Sequence, residues 1–139
     1  MEAKHRENLL KLARYLWDLP EDYTHFDMET FFDGPDPIGH CPPQNAQRPG
    51  GCGTVACALG HGPAAGVKPS DNVAGWYSYS LEAFGLPGHS TEWLWCFSDT
   101  WRQKDNTPRG AAKRIFYMLE RRSPRSGWTP DIYADQKRL

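Results

Sequence analysis

Residues 4–20, KHRENLLKLARYLWDLP, decide the fold class. Leu9, Leu12, Ala13, Leu16 and Leu19 recur at the three- and four-residue spacing that lines one face of a helix. The positions between them carry charge, so the spacing predicts an amphipathic helix over about Lys4 to Asp18, stopped before Pro20. At the far end, NTPRGAAKRIFYMLERR repeats the signature. There Thr107 stands at the cap, Pro108 takes the first helical position, and Ala111, Ala112, Ile115 and Leu119 share a face. Two long helices of this kind need elements to bury their apolar faces, and the segments between them supply short ones. WYSYSLEAFG predicts a helix ending at Gly85, and STEWLWCFSDTW a brief buried helix capped by Ser90. The whole reads as a mainly α, small single-domain helical protein with long Pro/Gly-rich connections. Leu9, Leu12, Leu16, Val55, Leu59, Phe84, Trp93, Ile115 and Leu119 are expected to share its core.

A chain of 139 residues with six Trp, six Tyr and six Phe has enough bulk for one hydrophobic core. Residues 1–122 are read as the helical domain, and 123–139 as a loosely packed or flexible basic tail. No apolar run approaches the length needed to cross a membrane, and charges interrupt the N-terminal segment, which is therefore read as neither a span nor a signal peptide. The expected setting is the cytoplasm, with Cys41, Cys52, Cys57 and Cys96 reduced. Charge is polarised: residues 1–108 hold eight Lys/Arg against fourteen Asp/Glu, and residues 109–139 hold eight against three. The stretch from Asp18 to Asp36 has seven acids and no Lys or Arg. Within it, EDYTHFDMETFF places Tyr23, Phe26 and Phe31 on a short helix or an extended arm. GPDPIGHCPPQNAQRPGG then forms a loop with five prolines and four glycines.

GGCGTVACALGHG, residues 50–62, is the stretch with the densest chemistry. It predicts a short helix from Thr54 to Leu59 capped by Gly60. Three readings compete. Cys52 ahead of a helix N-terminus has the setting of a thiolate nucleophile, with His61 or His89 as base, which would make the protein a cysteine-dependent hydrolase or transferase. Cys57 and His61, four apart, could hold zinc together with Cys52 and with Cys41 or His40. In the third reading the cysteines pack as small hydrophobes, with Gly53 and Gly60 admitting neighbouring chain closely. Packing is the reading preferred, with no cofactor expected. The HCPPQNAQR string is not a phosphatase loop, because six residues separate Cys41 from Arg48, one too many.

CGTVACALGHGPAAG, preceded by HFDMETFF and followed by WCFSDTW and DNTPRGAAKRI, resembles a group of small, uncharacterised bacterial and phage proteins. Their shared pattern is a CGT-x-x-C-x-x-G-[H/W] core and a C-terminal TP-x-x-A-A-x-R-I helix. The resemblance spans roughly residues 7–120. It implies a soluble cytoplasmic protein encoded by a phage or mobile element, and in some members tryptophan where His61 stands.

The function read from these features is that of a small interaction or regulatory protein rather than an enzyme, modulating host machinery by binding a protein partner. The residues expected to bind are Asp18, Glu21, Asp22, Asp27 and Glu29 on the acidic segment and Arg114, Arg121 and Arg122 on the basic helix. The cysteine enzyme is one alternative. Nucleic-acid binding is another, through Arg109, Lys113, Arg114, Arg121, Arg122 and Arg125 with Trp128 or Tyr133 stacking on bases.

Overall fold

A computed structural model describes residues 1–33, 41–46, 55–103 and 105–120. Four α-helices dominate: α1 (Ala3–Trp17), α2 (Trp76–Phe84), α3 (Thr91–Phe97) and α4 (Pro108–Glu120). Two two-residue strands, β1 (Phe32–Asp33) and β2 (Val55–Ala56), pair antiparallel, Phe32 opposite Ala56. The protein is mainly α. Among the described residues no helix is long and apolar enough to cross a membrane.

The two terminal helices form where their periodicity places them. α1 buries Leu9, Leu12, Ala13 and Leu16, and α4 buries Ala111, Ala112, Ile115, Met118 and Leu119. They lie antiparallel. Arg6 at the start of α1 donates to the Leu119 carbonyl at 3.2 Å, and Arg109 at the start of α4 covers the Trp17 ring at 5.1 Å. Gly110, Ala111 and Ala112 keep the facing surface of α4 low, which lets the leucines of α1 pack closely against it. The first turns of α1 also close the end of α2. Asn8 donates to the Ala83 carbonyl at 2.8 Å, and the His5 ring lies 3.2 Å from the Glu82 carbonyl. Gly85 ends α2 at φ 69°, a left-handed conformation that favours glycine, and any Cβ there would strike the His5 ring. The expected caps form: Ser90 Oγ accepts from Trp93 N at 3.2 Å, and Thr107 Oγ1 accepts from Gly110 N at 3.0 Å.

The cysteine stretch differs from its prediction. Val55–Ala56 form a strand and the following turn, Leu59–His61, is 3₁₀, so Gly60 lies inside a turn rather than capping a helix. The reason is lateral pairing. Ala56 N–H donates to the His25 carbonyl, Asp27 N–H to the Ala56 carbonyl, and Cys57 N–H to the Thr30 carbonyl at 2.8 Å. A six-residue helix has too few internal bonds to recover its nucleation cost, whereas the strand uses the arm on both of its edges. Of the alternatives for residues 23–31, the arm is the one that forms. Gly60 is required in another way: a Cβ there would overlap the Phe31 carbonyl oxygen. Eight of the nine expected core residues are buried together; Val55 is half-buried, because alternate residues of a strand face opposite sides. Thr54, Cys52, most of the Pro/Gly-rich loop and the tail from residue 121 lie outside the described residues.

Candidate functional site

Two clusters each combine a histidine with aromatic rings. The first surrounds His61, which the 3₁₀ turn carries into the core with no exposed surface. Its Nδ1 lies 2.7 Å from the Cys57 carbonyl oxygen, which can only accept, so Nδ1 bears the hydrogen. Nε2 is then the acceptor of the neutral ring and receives the Tyr23 hydroxyl at 2.9 Å. Tyr23 and Phe26 pack against the imidazole at 5.7 and 5.5 Å, and Tyr15 of α1 closes the cluster at 6.3 Å. Burial pushes the imidazole pKa down to about 4, against the opposing pull of the Cys57 carbonyl. Both nitrogens are engaged within the protein.

The thiols have the same character. Burial pushes Cys57 up to about 12 and raises Cys96 and Cys41 as well. Cys57 Sγ accepts from Gly60 N at 3.5 Å, and Cys96 points its thiol at the Met118 sulfur at 3.6 Å. Cys41, Cys57 and Cys96 are free thiols, and neither His61 nor His89 hydrogen-bonds a described cysteine sulfur. Among the described residues no three His, Cys, Asp or Glu side chains gather into a metal site. Cys52, the expected nucleophile, and His40 lie outside the described residues.

The second cluster faces solvent. The arm from Met28 to Phe31, Tyr77 of α2, His89, and Trp93, Leu94, Phe97, Ser98 and Asp99 of α3 and its end enclose a pocket of about 200 Å³. Tyr77 lies 5.5 Å from Phe31, 5.4 Å from Trp93 and 5.2 Å from His89, and His89 is 5.2 Å from Trp93. His89 sits at φ 63°, a conformation few residues other than glycine adopt. Tyr77 and Leu94 are exposed at 45% and 40%, whereas Trp93 beneath is 4% exposed. Two of the lining residues each carry a polar atom, Trp93 Nε1 and Thr30 Oγ1, that is buried without a hydrogen-bond partner among the described residues. Glu29 and Asp99 are its carboxylates, and the lining includes no Lys or Arg. Glu29 holds Arg102 at 3.0 Å on the surface, with both side chains half-exposed. The arm is held in place by Asn106, just before α4, which accepts from Met28 N at 2.8 Å and donates to Asp27 Oδ1 at 3.1 Å.

The expected binding residues therefore divide. Asp18, Glu21 and Asp22 are exposed, Glu21 lying 3.8 Å from Arg109. Glu29 borders the pocket together with His89, two residues the sequence assigned to separate roles. Asp27 is tied inward by Asn106 and by Glu29 N. Arg114 is a correction: it is fully buried and so cannot serve as a surface contact to protein or nucleic acid. Its guanidinium lies 4.2 Å from the Trp101 ring and donates to the Asp105 carbonyl at 3.2 Å, and these contacts offset its desolvation. Arg121, Arg122 and Arg125 lie outside the described residues. Thr30, Tyr77 and Asp99 were not anticipated as site residues. Tyr77 and Leu81 stand four apart on the outer face of α2, and that apolar pair was the available signal. The chain matches no protein-family model, no curated protein and no solved structure.

Proposed function

We propose that this protein acts by binding a protein partner, and that its contact face is the acidic arm with the aromatic pocket beside it. The observation that carries this reading is the pocket itself: the exposed Tyr77 and His89 rings beside Trp93, whose buried indole N–H has no acceptor among the described residues. Leaving such a donor unpaired costs about 1–3 kcal/mol, a cost that bound ligand can recover. The acids of the arm add a field that attracts a basic surface and speeds encounter. The resemblance to small bacterial and phage proteins supports a modulator of host machinery, encoded by a phage or mobile element and working in the cytoplasm.

The experiment is affinity capture on immobilised protein, comparing the wild type with an Asp18→Asn, Glu21→Gln, Asp22→Asn, Glu29→Gln variant and identifying retained proteins by mass spectrometry. The expected result is a protein retained by the wild type, released by salt and lost on the variant. Equal retention on both, or capture of nucleic acid alone with steep salt dependence, would contradict the reading.

A further inference from the structure

We draw no further inference here: the strongest candidate, the aromatic pocket lined by Phe31, Tyr77, His89 and Trp93 between the arm, α2 and α3, belongs to the contact face already described, and nothing in the structure shows what covers it.

Discussion

His61 and His89 sit among similar rings and do opposite things. Around His61 every polar atom named has a partner: Nδ1 meets the Cys57 carbonyl, Nε2 meets the Tyr23 hydroxyl, and no surface remains. Around His89 the Tyr77 ring is partly exposed, the backbone is left-handed, and the buried Trp93 indole N–H has no partner among the described residues. A satisfied cluster stabilises the fold. An unsatisfied one at the surface costs free energy unless something else completes it. Histidine and aromatic content therefore does not distinguish a closed core from an open surface pocket; partner count and burial do.

The largest expected difference is in stability. His61→Ala removes a buried ring and leaves the Cys57 carbonyl and Tyr23 hydroxyl without their partner, and is expected to cost about 3–5 kcal/mol in denaturant unfolding. If it behaved like a surface substitution, the closed cluster would not be structural. Next is the acid response. The folded His61 pKa of about 4 lies below its ordinary 6.5, so the unfolded chain binds the proton first. Stability from this group is complete above about pH 6.5, falls as pH drops, and is lost by about pH 4, a change of roughly 3 kcal/mol. His61→Phe should flatten that part of the profile, and an unchanged slope would assign it elsewhere.

Cys57 gives a smaller effect. Its thiol is fully enclosed and is expected to resist iodoacetamide until the protein unfolds. Cys57→Ser should cost about 1–3 kcal/mol, more than Cys57→Ala, because the hydroxyl is buried at a site that offers a sulfur only long contacts. The smallest changes belong to the open cluster. Tyr77→Ala should lower stability by about 1 kcal/mol or less, and His89→Gly by still less, since glycine relieves the φ of 63° while losing the ring contacts. A large loss at either would make the pocket part of the core.

The sequence revealed what is local. α1 and α4 were legible because their apolar spacing runs through several turns, and the caps at Ser90 and Thr107 because a cap is read within four residues. The strand at Val55–Ala56 was not, since what pairs it lies in residues 25–32 and only the folded chain brings them together. Arg114 was misplaced because charge was read ahead of spacing: it falls three residues after Ala111 and four before Met118, on the buried face. The pocket needed residues 28–31, 77 and 89–99 at once. No window of sequence contains them.

Indole hydrogen exchange tests the contrast most directly. Trp95 and Trp101 donate to the Arg114 and Leu94 carbonyls at 2.8 and 3.2 Å and are buried, so their indole hydrogens should exchange only through large-scale opening. Trp93, 4% exposed but without an acceptor among the described residues, should exchange well ahead of both through local movement of Tyr77 and His89, with no dependence on global stability. Protection of Trp93 equal to that of Trp95 would contradict the account, because the second cluster would then be as closed as the first.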